Sequence, residues 1–472
     1  MGLQDERQVM AKVVIIGAGS FVFSSRMQAD VLSYPELADT EFVLVDIDPV
    51  RLDYARQIAE RILREGGYQQ ARVSATLDRR QALAGADYVI ICILVGGYAA
   101  IEPEIDIPMK YGVDQCIGDT LTPGGIMRCL RTLPVLEEIG RDVSDLCPQA
   151  LVLNYTNPMS MLSWGFLDAF PHLAYVGLCH SVQGTVGEWC RRLDVPRAEV
   201  NFTCAGINHQ AWLLRFERHG EDLLPRIRAL ACDPAIWSGD STRMEYLKHF
   251  GYPVTESSGH GSEYNWWFRK NKTTRARYCD SGGSKWNGAS GFIKELYARP
   301  DWEEEMRAKA QGTQPMELKR SVEYGSQIIH AHHSGQAQLI YGNVRNDGLI
   351  DNLPAAAVVE VAIHVDRNGL QPLRYGPLPP HLAALNRAQI SVQELAVRAV
   401  QERDPERVFQ ALAFDPLTAM ACTLDEIRAL GRELLEAHQQ WLPFPAPLPD
   451  KPLMYTRKSS DAEAHQDPGL DG

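Results

Sequence analysis

Hydrophobic positions in the first 200 residues fall into short runs separated by stretches of helical spacing. Lys12–Ile16, Glu41–Asp46, Arg72–Thr76, Asp87–Leu94, Leu151–Asn154 and Tyr175–Leu178 read as strands. Several are continuously apolar, as a strand is when helices cover both of its faces. Ser20 to Leu32 and Gly125 to Ile139 carry the helical spacing between them. This alternation predicts an α/β fold, a Rossmann-like doubly wound parallel sheet.

The rhythm breaks near Val200. Asn201–Ile207 and Gln210–Glu217 read as strands of a different layer. Gly251 to Phe292 is rich in Gly and Trp without periodicity, which predicts loops around a site. Helical spacing returns over Met316–His332 and Pro380–His438, with strands at Gln338–Tyr341 and Ala356–Val365 between them. The expectation is therefore a Rossmann-like domain over 1–200 and an α+β domain over 201–457. A polar tail over 458–472 is expected to be disordered.

At 472 residues and 45% hydrophobic content the chain can bury a large core. Its formal charge of −13, without a basic block, argues against nucleic acid or an anionic membrane as partner. No apolar run reaches the roughly 20 residues of a membrane helix. The charged start Met1–Arg7 reads as lacking a signal peptide, and Glu6 stands where a myristoylation motif needs Ser or Thr. The 10 cysteines are scattered, which fits reduced thiols. A cytoplasmic location is the expectation.

Two places carry chemistry. The first is Gly17-Ala18-Gly19-Ser20, after four apolar β-formers and before a helical pattern. Glycines there let a pyrophosphate reach the exposed amides of a helix N-terminus. The third glycine of the full fingerprint is replaced by Val22. Asp46 ends the second strand, 27 positions after Gly19. It can accept from a ribose and disfavours a 2′-phosphate, so NAD is preferred over NADP. The plainer reading makes the glycines a tight turn and Asp46 a cap for the helix after Pro49.

The second place is the pair Cys179 and His209, 30 positions apart, each following a predicted strand. A thiolate and an imidazole leave coordination positions open, as catalytic metal sites do. Taken alone, such a pair reads more readily as core.

The segments Gly118-Asp119-Thr120-Leu121-Thr122-Pro123-Gly124-Gly125-Ile126-Met127-Arg128, Asn154–Met159, Cys179–Thr185, Cys204–His209, Thr255–Ser258 with Glu263-Tyr264, and Tyr341–Pro354 change that balance. With the glycine turn, they make the chain resemble glycoside hydrolase family 4 over nearly its whole length. Within that family they look most like the melibiase-type α-galactosidases. The resemblance implies a lactate/malate dehydrogenase-like sheet, with NAD and a divalent metal, usually Mn²⁺, as cofactors. It implies that Cys179 and His209 hold the ion, that Asp119 and Asn157 contact the sugar, and that Tyr264 is the base. Arg128 and Arg345 are cations that could read a carboxylate or phosphate instead.

The implied chemistry begins with hydride transfer from sugar C3 to NAD⁺, which acidifies the C2 proton. The ion stabilises the enediolate, the C1 oxygen leaves by elimination, water adds, and the hydride returns. A tyrosine base near pKa 10 needs a nearby cation. The general acid stays open between His180, where some relatives carry an Asp, and Asp119. The implied substrate is a terminal α-galactoside, with α-glucosides and α-galacturonides as alternatives. A homodimer or homotetramer is also implied. The rival readings are an NAD-dependent hydroxy-acid dehydrogenase and an NAD-sensing regulator, which give the Cys179/His209 pair no task.

Overall fold

The computed structural model describes residues 10–20, 23–279 and 290–443. The expectations for Val22 and for the tail over 458–472 lie outside the described residues.

Six parallel strands form the first half of the sheet: β1 (Lys12–Ile16), β2 (Glu41–Val45), β3 (Arg72–Thr76), β4 (Tyr88–Ile91), β5 (Leu151–Asn154) and β6 (Tyr175–Gly177). Their order, β3-β2-β1-β4-β5-β6, is that of a dinucleotide-binding doubly wound sheet. Every residue of β4 and β5 is buried, which explains their unbroken apolar sequence.

The remaining strands are β7 (Val200–Ile207), β8 (Gln210–Arg218), β9 (Glu221–Asp222), β10 (Gln338–Arg345), β11 (Val358–Asp366) and β12 (Gly369–Pro372). They do not form a different layer, as the sequence pattern suggested. The same sheet continues from β6 through β10, β11, β7 and β8 to β9, with antiparallel pairing. The seam is narrow: Asn343 pairs with Gly177, and Glu360 with Gly206. Added atoms at Gly177 would meet Met159 Sδ at 2.5 Å and Ser163 Oγ at 2.6 Å, so any side chain there would have to displace them.

One helical and one loop expectation need correction, and a second helical one is refined. Met316–His332 is irregular up to Glu323, and the helix is Tyr324–Ser334. Tertiary bonds override the spacing: the Ser321 amide donates to Asp30 Oδ1 (2.7 Å) and Arg320 Nε to Ser33 Oγ (2.7 Å). Pro380–His438 divides into helices Pro380–Glu402, Pro405–Phe414, Pro416–Ala421 and Leu424–His438. Asp404 and Asp415 cap the helices that begin at Pro405 and Pro416, and Thr423 with Glu426 forms a capping box on the last. Gly251 to Phe292 is not all loop, since it holds the short helices Ser258–Glu263 and Lys272–Tyr278.

Candidate active site

The turn after β1 is built as a glycine cradle. Gly17 has φ +89°, and a Cβ there would sit 2.3 Å from the Cys92 carbonyl oxygen. A Cβ on Gly19 would lie 2.6 Å from Arg51 Cβ. Ala18 is buried, and Ser20 Oγ accepts from the Ser24 amide (3.2 Å). Asp46 Oδ2 accepts from the Gly19 amide (2.8 Å) and its Oδ1 from the Asp48 amide (3.0 Å). It therefore ties the end of β2 to the glycine turn. The cap of the helix Pro49–Gly66 is Asp48, not Asp46. A backbone this tight, free of side chains, suits close approach of a pyrophosphate.

Cys179 stands two residues after the end of β6, and His209 stands in the turn between β7 and β8. The strand order brings them together: Cys179 Sγ and His209 Nε2 are 3.1 Å apart. A third group, unassigned from sequence, completes the set. Glu256 lies with one oxygen 3.7 Å from His209 Nε2, and ligand atoms of Cys179, His209 and Glu256 all fall within 4.8 Å of one another. Bond lengths of about 2.0–2.3 Å to one ion place neighbouring ligand atoms roughly 3–3.7 Å apart. The donor set therefore fits a divalent cation. Thiolate, imidazole and carboxylate together are the donors of a borderline metal.

The opposite edge of the His209 ring is also held. Its Nδ1 is hydrogen-bonded to Tyr264 Oη (3.0 Å) and lies 3.3 Å from Thr120 Oγ1. Such an outer partner fixes the ring and leaves Nε2 for the ion. His209 (φ +60°) and Glu256 (φ +71°) both hold left-handed backbone, and so does Thr122 (φ +66°) beside the Asp119 loop. Conformations of this kind cost about 1–3 kcal/mol each and collect where function requires them.

Asp119 is the hub of the sugar side. It accepts from Asn157 Nδ2 (3.1 Å) and Thr120 Oγ1 (2.9 Å), with Arg128 Nη1 at 3.7 Å and His260 Nε2 at 3.4 Å. Burial alone would raise its pKa, but His260, Arg128 and His209 outweigh it and hold the carboxyl far below its ordinary range. Glu263 fixes the approach to this loop by accepting from the amides of Cys116 (2.8 Å), Ile117 (3.2 Å) and Gly118 (3.0 Å). Arg128 Nε and both amide atoms of Asn208 are buried without partners among the described residues. A bound ligand would satisfy such groups.

His180 begins the helix Ser181–Leu193 with its side chain exposed, its Nδ1 3.9 Å from Glu323 Oε1. Ionisation of the neighbouring Cys179 raises its pKa. Burial, then Asp119 and Glu263, push the Tyr264 phenol well above its ordinary value. Arg345 is turned away to an ion pair with Asp168 (2.6 Å).

Glu256, His260, Thr120 and Glu263 are the site residues that sequence reasoning left without a task. A usable signal was present. Glu256 and His260 are four positions apart, and Ser257 caps the short helix that carries His260 and Glu263 toward Asp119.

These features define a class: a Rossmann-like α/β protein with a glycine cradle and an open donor set for a divalent ion. The chain matches the family 4 glycosyl hydrolase model over residues 12–195 and the family 4 glycosyl hydrolase C-terminal domain over residues 204–418. It belongs to family 4 of the glycosyl hydrolases. It is 37% identical over 440 residues to an α-galactosidase of Rhizobium meliloti, covering 92% of this chain and 89% of that protein. With an α-galactosidase of Bacillus subtilis it shares 38% identity over 436 residues, 92% of this chain and 99% of the other. Among solved structures, lplD from Bacillus subtilis superposes with a TM-score of 0.81 at 26% identity, over 90% of this chain and 100% of that one. A 6-phospho-β-glucosidase from Thermotoga maritima, solved with manganese, NAD⁺ and glucose 6-phosphate, has a TM-score of 0.75 at 19% identity, over 91% and 99% of the two chains. That likeness is one of fold.

Proposed function

We propose that this glycosidase hydrolyses terminal α-galactosides using NAD⁺ and a divalent cation such as Mn²⁺. The observation that carries the reading is the convergence of Cys179, His209 and Glu256 beside the Asp119–Asn157 pair. The glycine cradle lies at the end of β1 in the same parallel sheet. The two α-galactosidase relatives, alike over nearly the full chain, support the choice of sugar.

When bound, NAD⁺ supplies a reversible hydride acceptor and the cation a Lewis acid. The protein's own groups do the rest. The Asp46-tied turn would hold the pyrophosphate, and Asp119, Asn157 and Arg128 would orient the sugar. Tyr264 takes the C2 proton. With Nε2 of His209 committed to the ion, its Nδ1–H donates to Tyr264 Oη, and a donor aimed at that oxygen favours phenolate. His180, with its side chain exposed, or Asp119 returns a proton to the leaving oxygen. An ionised Asp119 has no proton to give, which favours His180.

A panel of p-nitrophenyl glycosides assayed with NAD⁺, Mn²⁺ and a reductant tests this directly. The α-galactoside is cleaved fastest, with no net NADH and a primary deuterium isotope effect at C2. Steady NADH accumulation without cleavage would establish a dehydrogenase instead. The same reading includes a homodimer or homotetramer, which sedimentation measures. Among the described residues no helix is long and apolar enough to cross a membrane.

A further inference from the structure

Resting on the metal reading above, we infer that Glu256 is a third protein ligand to the divalent ion. The ion then binds the free enzyme before cofactor or sugar arrives. A Cys–His pair alone would leave most of an ion's coordination to other molecules. Three protein donors define an open catalytic centre that stands by itself.

Three observations place the carboxylate in this role. First, its position: Glu256 Oε2 lies 3.7 Å from His209 Nε2, inside the cluster completed by Cys179 Sγ. Second, its backbone is left-handed, like that of His209, and its amide is pinned to Thr185 Oγ1 at 3.1 Å. Thr185 lies on the helix that follows Cys179, so the two ligands are anchored to each other. Third, the two carboxylate oxygens are divided between partners. Oε1 faces His260 Nδ1 at 3.5 Å, while Oε2 faces the ligand cluster.

His260 then serves as a positioning residue. Its Nδ1 steadies Glu256 and its Nε2 lies 3.4 Å from Asp119 Oδ1. One imidazole thereby spaces the ion-binding carboxylate from the sugar-binding one. Outer partners of this kind are what orient metal ligands.

Co²⁺ titration of the full-length protein, without NAD⁺ or sugar, tests the assignment. The wild type is expected to bind Co²⁺ with a thiolate-to-metal band and a defined d–d spectrum. Glu256→Gln should weaken binding at least about tenfold and alter the d–d bands. Glu256→Asp, which keeps a carboxylate, should recover part of both. NAD⁺ binding reports whether each variant is folded. In the wild type, an infrared difference spectrum on adding Co²⁺ should show a shifted carboxylate stretch. Unchanged Co²⁺ affinity and spectrum in a folded Glu256→Gln variant, or no carboxylate shift in the wild type, would overturn the assignment while leaving the Cys–His site standing. If the wild type binds no Co²⁺ at all, the metal reading itself falls with it.

Discussion

Cys179 carries two demands that pull in opposite directions. Burial raises its pKa and favours the thiol, whereas a metal ligand must be the thiolate. A cation held by His209 and Glu256 resolves the conflict, so removing the sulfur should remove the ion and little else. Cys179→Ser is expected to lose metal-dependent turnover by several orders of magnitude while binding NAD⁺ as before. A variant with full activity would remove Cys179 from the site. Gly17→Ala makes the converse test, since its Cβ would collide with the Cys92 carbonyl in a left-handed conformation. NAD⁺ affinity should fall and Co²⁺ affinity should not.

The same residues show what a sequence can and cannot reveal. Cys179 and His209 were readable because a strand precedes each and their motifs match a family. Glu256 lay inside a matching segment yet received no task. Its contribution depends on a left-handed backbone and on an anchor to Thr185, 71 positions earlier. Neither leaves a trace in residue spacing.

At the scale of elements, the Rossmann-like strands were legible to within one to three residues, and all but the edge strand β3 owe their apolar runs to two-sided burial. The C-terminal run reads as helical and is helical, and Asp404-Pro405 and Asp415-Pro416, each a cap with a proline start, mark two of the places where it divides. The second of these caps makes a measurable prediction. Asp415 is buried, with Oδ2 accepting from the Thr418 amide and hydroxyl. Burial pushes its carboxyl from 3.8 up to about 7. The folded state holds this proton more tightly than the unfolded one. Stability from this group is thus complete below about pH 4 and is lost as pH rises through about 7. The full loss is of the order of 4 kcal/mol. Asn keeps an oxygen for the cap but has no charge to bury. Asp415→Asn should therefore gain Tm relative to wild type, more at pH 8 than at pH 5. An advantage that does not grow with pH would show that Asp415 ionises freely in place.

Over the whole molecule, one sheet crosses the boundary that the sequence pattern set at residue 200. Alternation of apolar and polar residues reports whether a strand has one covered face or two. It does not report which strand lies beside it. The crossing therefore could not be read, although it decides where the site falls. Cys179 leaves the parallel half at β6, His209 turns between β7 and β8 in the antiparallel half, and Glu256 comes from the segment that follows them. An ion at this point ties together parts of the chain that are otherwise joined at the seam by sparse pairing through Asn343–Gly177 and Glu360–Gly206. Whatever binds only the folded state stabilises it by mass action, by about 2.7 kcal/mol at 100 times its Kd. Saturating Mn²⁺ should accordingly raise the Tm of the wild type by at least about 2 °C, and a chelator should reverse the gain. The Cys179→Ser protein should show neither change, and NAD⁺ should still raise its Tm. An equal Mn²⁺ shift in wild type and variant would place the ion elsewhere on the molecule and leave the seam without its staple.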